Sequence, residues 1–535
     1  MAILIVLSVM ALGIIVYAEQ KAEASKERPT FNMSPEELDT MLGVRFVAYA
    51  DENRGLSNDV FTSIFREDEL HHYLIVPDEL VFSAMVCYAM DENGQLLNRY
   101  VIDFSESSEY QVGLRTIHLV KTNLPIVSIN ISEESPSFEE LLSSDKDVET
   151  FGDLTLSVNK TLAHKNHWIE EIHSKDATKE SLGSVILRGR GNASWYFSPK
   201  KSFTIVFEKA TYILGLGKHK KWNLISNSQD KSLLNNEIFL NLSKDCGVKY
   251  EPGCEQITLF INGEYQGVYL LTSKVSVDKD RVNLEKDDYF FCFGATNAEQ
   301  PLFYKSNTWV DDGGAYSEPF ANLEWPENAS SEQINEAGSI VSKFISSMED
   351  PEDTTYTDYV DIDSMARYYW AQEISMNYDA IFRSTYAYYK ADDKKVYMGP
   401  VWDLDLSNGW NADKAGSYYA EPTGWKLRSQ SWYAPLFERE DFKQKASDVY
   451  FNGGVRFAMY KALDDYEKRM AEMSTDGELN YQRWYSDVPN LGIIYGNSYK
   501  EQTEGCLDFL RRRVEWIDSQ MSDIMKCNAI KREGE

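Results

Sequence analysis

Between Leu259 and Leu270 two β-prone runs meet at Asn262-Gly263. A two-residue Asn-Gly connection takes positive φ at both positions, so this segment is restricted to a tight antiparallel hairpin. Shorter strand-like runs come earlier, at His72–Val76, Val81–Val86 and Arg99–Phe104, with Asp91-Glu92-Asn93-Gly94 as a turn between them. They predict a β-rich accessory domain, a small sandwich or sheet, over residues 40–124. A second block begins near Leu124-Pro125-Ile126 and mixes strands with helices to about residue 420. From Ser431 onward the period becomes helical. Leu507, Leu510, Val514, Ile517 and Met521 recur at steps of three and four, which predicts a C-terminal amphipathic helix. The fold class expected from these patterns is α+β.

The chain has 535 residues, too many for one ordinary core. Its net charge of −31 argues against a nucleic-acid partner held by the general surface. Ala2 to Tyr17 is an unbroken apolar to weakly polar run, followed by a small-x-small site at Ala22-Glu23-Ala24. A membrane span needs about 20 residues, so residues 1–24 read as a signal peptide or an N-terminal membrane anchor. The rest of the chain is then expected outside the cytoplasm, secreted or tethered. Six cysteines are scattered without a Cys-x-x-Cys. Cys87 and Cys292 sit in apolar runs as buried small hydrophobes, and pairing of Cys246 with Cys254 is left open. His164, His167 and His173, with Glu170 and Glu171, fit no standard zinc spacing and read as a polar loop face.

Two features carry chemistry. In Trp402-Asp403-Leu404-Asp405-Leu406 acidic and apolar residues alternate, and on a strand Asp403 and Asp405 share one face. Two such carboxylates suit a hard divalent cation, and they also suit the solvated face of an edge strand. Asp379 stands upstream of them beside a Tyr-rich run. The second feature is a basic island in an acidic chain. Arg188, Arg190, Lys200, Lys201, Lys209, Lys218, Lys220 and Lys221 face a single acid, Glu208. It opens with Arg188-Gly189-Arg190-Gly191-Asn192, whose glycines permit an anion-binding nest of backbone N–H groups. A phosphate site is the favoured reading of this island, with a solvated Lys-rich loop as the alternative. A glycine turn with lysines, a single carboxylate and then a metal-type pair follow the order of parts in phosphoryl transfer.

These segments together resemble the CotH kinase family of atypical secreted or spore-surface protein kinases. The resemblance spans residues 125–520. It rests on Arg188–Trp195 with Pro199–Phe203, on Leu214–Lys218 with Lys221–Leu224, and on Asp230–Leu234. Asn262–Thr272, Asn377–Asp379, Pro400–Asp405 and Arg513–Asp518 complete it. It implies a divergent protein-kinase-like core, flanked by the N-terminal β domain and the C-terminal helical region. ATP with Mg²⁺ or Mn²⁺ would be used to phosphorylate Ser/Thr-rich cell-surface or spore-coat proteins. By carry-over Asp379 is the catalytic carboxylate and Asp403 the metal ligand, with Asp405 as helper. Arg190, Lys201 and Lys218 are the nucleotide-phosphate contacts. The chain departs from the family at four places. Ser384 stands where an Asn would be a second metal ligand, Asn235 and Glu237 where a basic pair is usual, and Ser273 where a Glu is usual. These departures keep a second function open, that of a catalytically weak relative serving as a structural or binding component of the same surface.

Overall fold

The computed structural model describes residues 33–49, 60–62, 64–65, 70–77, 85–91, 95–102, 107–146, 148–157, 179–294, 299–306, 320–380, 383–409, 419–485 and 495–533. The apolar leader, most of the Val81–Val86 run, the Glu92–Gly94 turn and the His164/His167/His173 group fall outside these residues, as does the Cys527 side chain. No helix among the described residues is long and apolar enough to cross a membrane. The architecture is α+β, and the chain divides into two compact units.

The first unit takes residues 1–226, 254–273 and 472–489. Its early strands are β1 (Arg45–Tyr49), β2 (Val60–Thr62), β3 (Ile64–Phe65), β4 (His71–Pro77), β5 (Met85–Met90), β6 (Leu96–Ile102), β7 (Glu109–Val112) and β8 (Arg115–Thr122). They form two four-stranded sheets, ordered β2-β1-β5-β6 and β3-β4-β8-β7. Phe46, Cys87 and Ile102 of the first sheet and Leu74, Ile117 and Leu119 of the second enter one core. Ile126, Phe260, Tyr265 and Leu479 enter the same core, so the expected boundary near residue 125 falls inside this unit.

The same unit holds a closed barrel. Its strands are β9 (Ile126–Ile131), β10 (Glu149–Ser157), β11 (Lys179–Arg190), β12 (Ser202–Tyr212), β13 (Lys218–Ile225), β14 (Cys254–Ile261) and β15 (Glu264–Ser273). Around the barrel the order is β10-β11-β12-β13-β15-β14-β9; β14 and β9 pair in parallel, and the antiparallel β9–β10 pair closes it. Period-two patterning fills the interior: Phe203, Ile205 and Phe207 alternate inward from β12, and Ile257, Leu259 and Ile261 from β14. The Asn262-Gly263 hairpin forms as the sequence requires, with φ of 51° and 78°.

The second unit takes residues 227–253, 274–471 and 490–535. It contains one antiparallel sheet of β16 (Tyr289–Phe293), β17 (Pro301–Phe303), β18 (Phe320–Trp325), β19 (Thr385–Lys390) and β20 (Lys395–Met398), ordered β17-β18-β16-β19-β20. Its helices include Asn235–Asp245, Ser331–Glu349, Ile362–Ser375, Glu440–Phe451 and Val455–Glu472. The C-terminal helix runs over Tyr499–Glu533, and Leu507, Leu510, Val514, Ile517 and Met521 are all buried along it. The helix Ile362–Ser375 starts where the Asp361 side chain accepts from Ser364 N, and it ends at Met376 in the left-handed region. That end turns the chain into the segment carrying Asp379.

Candidate active site

Asp379, Asp403 and Asp405 all lie in the second unit. Two connections carry them. Asp379 sits in the turn between the helix Ile362–Ser375 and β19, and the other two follow β20 after Gly399-Pro400. Backbone and side-chain bonds tie the connections together. Tyr378 N donates to Leu406 O at 3.0 Å and Asn408 N donates to Ser375 O at 2.9 Å. The Asn377 side chain bridges them directly: its Nδ2 donates to Asp403 O at 3.3 Å, while its Oδ1 accepts from Asp379 N at 3.2 Å.

The extended geometry expected for Trp402–Leu406 is not what holds the two carboxylates. The segment is a loop, and Asp403 has φ of 65°, in the left-handed region, which breaks strand alternation. Trp402 and Leu404 still turn to apolar surroundings, Trp402 against Val275, Val282, Phe290 and Tyr388, and Leu404 fully buried. Asp405 keeps some exposed surface, yet its carboxyl is closely enclosed by protein. Burial holds its proton affinity well above the carboxylate range, and the nearby charges of Asp403, Asp379 and Asp230 push the same way. The four aspartates therefore share one electrostatic neighbourhood.

A cation would relieve such crowding. Among the described residues no group of three or more His, Cys, Asp or Glu forms a self-sufficient metal cage. A site with two protein carboxylates suits Mg²⁺, which keeps waters or substrate phosphates in the remaining positions. Asp403 and Asp405 fit that donor set.

The loop that bears them is fixed from the helix Asn235–Asp245. Asn236 Oδ1 accepts from Leu404 N at 2.9 Å, and Asn235 Nδ2 donates to Ser407 O at 3.3 Å. The two bonds bracket Asp405. Asp230 sets up the start of this helix. Its Oδ1 accepts from Ser232 N at 2.9 Å and Oγ at 2.6 Å, and its Oδ2 accepts from Asn235 N at 2.8 Å. Full burial nevertheless lifts the Asp230 carboxyl to about 6, despite those stabilising bonds. On the other side of the loop Glu251 Oε1 accepts from Val401 N at 2.7 Å. Sequence reasoning placed Asp230 in a family motif without a role, and it missed Asn236 and Glu251. The Asp-x-Ser pattern ahead of a helix was the available signal for the first, and nothing local marks the other two.

The departures from the family pattern have defined surroundings. Ser384 Oγ donates to Asp403 Oδ2 at 3.0 Å. Asn235 supports the loop as described. Glu237 pairs with Arg469 at 2.9 Å in a largely buried setting. Ser273, in the first unit, is buried on β15 opposite Trp222.

The basic residues belong to the first unit and are not brought together as one cluster. Lys200 is fully buried, its amine donating to Val268 O and lying 4.6 Å from the centre of the Tyr269 ring. Burial alone drives its pKa well down. The Lys201 amine donates to Trp195 O, 5.7 Å from the centre of that ring, and burial lowers its pKa as well. Arg190 ends β11 half-buried, and exposed Lys218 begins β13 with its amine 5.8 Å from the Tyr212 ring centre. Gly189 has a packing reason, since a Cβ there would come within 2.6 Å of the Trp195 ring.

The family model described as CotH kinase protein matches residues 187–517, more than half of the chain, from the last residues of β11 into the C-terminal helix. No curated protein matches it. The matched span includes Asp230, Asp379, Asp403, Asp405 and every departure discussed above. The chain belongs to the CotH kinase protein family.

Proposed function

We propose that this protein is an atypical ATP-dependent protein kinase with a divergent kinase-like core, transferring phosphate to Ser or Thr hydroxyls of cell-surface or spore-coat proteins. The observation that carries the reading is the Asn377 bridge, which joins the backbone of Asp379 to that of Asp403. A carboxylate able to take a proton and a carboxylate able to hold a cation are thus fixed on adjoining segments, the pairing that phosphoryl transfer requires.

In this reading Asp379 orients the acceptor hydroxyl and receives its proton as the new O–P bond forms. The bond between Pγ and the bridging oxygen breaks, and ADP leaves with the electron pair. Asp403 and Asp405 would hold Mg²⁺ or Mn²⁺, which supplies charge neutralisation for the phosphates. Asp379 is half-buried, so it keeps the access to solvent and substrate that a base needs. The nucleotide half of the proposal rests on family membership, with Arg190, Lys201 and Lys218 as the positions to test. Export, by cleavage or by anchoring of the apolar N-terminal run, is part of the same proposal.

Transfer of label from γ-labelled ATP to a Ser-rich acceptor, in the presence of Mg²⁺ or Mn²⁺, tests it. Wild type should label the acceptor or itself, and Asp379→Ala should not. Absence of both label and any ATP-dependent rise in melting temperature would sink the kinase reading. The second reading, a catalytically weak surface or coat component, is favoured by one observation: Ser384 replaces the Asn of the second metal position. ATP binding without transfer would select it.

A further inference from the structure

Ser384 is half-buried immediately before β19, with φ of 48°. A non-glycine residue in the left-handed region is strained and persists where its surroundings fix it. Among the described residues, this side chain makes a hydrogen bond from its Oγ to Asp403 Oδ2 at 3.0 Å. Asp403 is itself left-handed, with φ of 65°. Two residues from separate connections therefore hold uncommon backbone conformations while a hydroxyl meets a carboxylate between them. The bond engages Oδ2 and so sets the plane in which the carboxylate faces a cation.

We propose that Ser384 is a positioning residue for Asp403: it orients the carboxylate for a divalent cation rather than marking a lost ligand. The inference rests on the metal-site reading above. Outer-shell hydrogen bonds to metal-binding carboxylates fix the direction of the ligand, and their loss typically lowers metal affinity about 10–100-fold. The left-handed backbone also says which replacements preserve the role. Asn tolerates this conformation better than most residues and carries an amide donor, whereas Gly relieves the backbone and removes the donor.

Mn²⁺ binding to the full chain, read as loss of the free-ion electron paramagnetic resonance signal, tests this with no need for turnover. Wild type, Ser384→Ala, Ser384→Gly, Ser384→Asn and Asp403→Asn are compared, with thermal unfolding in parallel. Asp403→Asn should abolish the site, Ser384→Ala and Ser384→Gly should weaken it about 10–100-fold, and Ser384→Asn should stay close to wild type. The glycine variant keeps the test decisive if alanine fails to fold at the left-handed position. Wild-type affinity in the glycine or alanine variant, or an Asn variant no better than glycine, would overturn the role of Ser384 while leaving the metal site standing. Absence of saturable, Asp403-dependent Mn²⁺ binding in wild type would overturn the metal-site reading and this inference with it.

Discussion

Asn236 Oδ1 accepts the backbone N–H of Leu404 at 2.9 Å across 168 positions of sequence. The same amide donates to Asn227 Oδ1 at 2.9 Å, and Asn227 Nδ2 donates to Leu233 O at 3.0 Å. A relay of two asparagines thus couples the start of the helix Asn235–Asp245 to the residue between the two candidate metal ligands.

Asn236→Leu would leave the Leu404 N–H and Asn227 Oδ1 buried without these partners, at about 1–3 kcal/mol for each group. The expected result is a lower urea midpoint with an unchanged slope, together with weaker Mn²⁺ binding. Asn236→Asp should not rescue it, because its second oxygen would face Asn227 Oδ1, acceptor against acceptor. A leucine variant as stable as wild type would show that the relay contributes little.

That relay also explains what could be read in the sequence and what could not. The Asn262-Gly263 hairpin and the Leu507–Met521 face are dictated locally, by residues that tolerate positive φ and by apolar spacing, and both form. The acidic alternation at Trp402–Leu406 has an equally clear local pattern, but the loop takes its shape from partners far away in sequence, Asn236, Asn377 and Ser384. Asp403 and Asp405 stand out in the sequence as an acidic pair, whereas the loop geometry that carries them does not. The basic island shows the reverse limit. Composition sees lysines, but burial turns Lys200 into a core residue bonded to Val268 O, and the Trp195 carbonyl engages Lys201.

Gly189→Ala should destabilise the barrel. Gly189 lies on β11 and is not among the glycines with positive φ, so the added Cβ acts through space. It would meet ring atoms of Trp195 at 2.6 to 2.8 Å. Trp195 is only 2% exposed, and its Nε1 donates to Ser144 O at 3.2 Å, so the ring has little room to retreat. Overpacking of this kind costs about 1–3 kcal/mol. Thermal unfolding with near-ultraviolet circular dichroism would register the shift, and an unperturbed tryptophan signal would refute the account.

The Glu373–Arg513 pair offers a sharper test of the second unit. Both side chains are at most 1% exposed. Arg513 donates to the carboxylate and to Glu373 O at 2.8 Å, and also to Pro422 O at 3.0 Å and Gly424 O at 2.7 Å. The carboxylate accepts in turn from Lys426 N at 2.6 Å and Leu427 N at 2.8 Å. Removing one partner leaves a buried charge uncompensated, so Arg513→Met should cost about 3–5 kcal/mol. Arg513→Lys should recover little, since an ammonium cannot reproduce the planar fork. Glu373→Leu combined with Arg513→Met should be less damaging than the sum of the singles in a double-mutant cycle.

Lys426 gives the pair a pH signature. Burial, with Arg513 adding repulsion, holds its pKa at about 8 against an ordinary 10.5, although Glu373 and Glu421 pull the other way. The folded state then binds fewer protons than the unfolded chain between those two values. Stability from this group must rise with pH across that window, since the slope follows the protons bound in the unfolded state minus those bound in the native state. Below about 8 both states carry the proton, and the folded protein bears the full penalty of a buried ammonium. Lys426→Met keeps most of the buried stem and removes the charge. It should melt above wild type at pH 7, and the gap should close as pH rises from about 8 to 10.5. Parallel melting curves over that range would mean that Lys426 reaches solvent when charged.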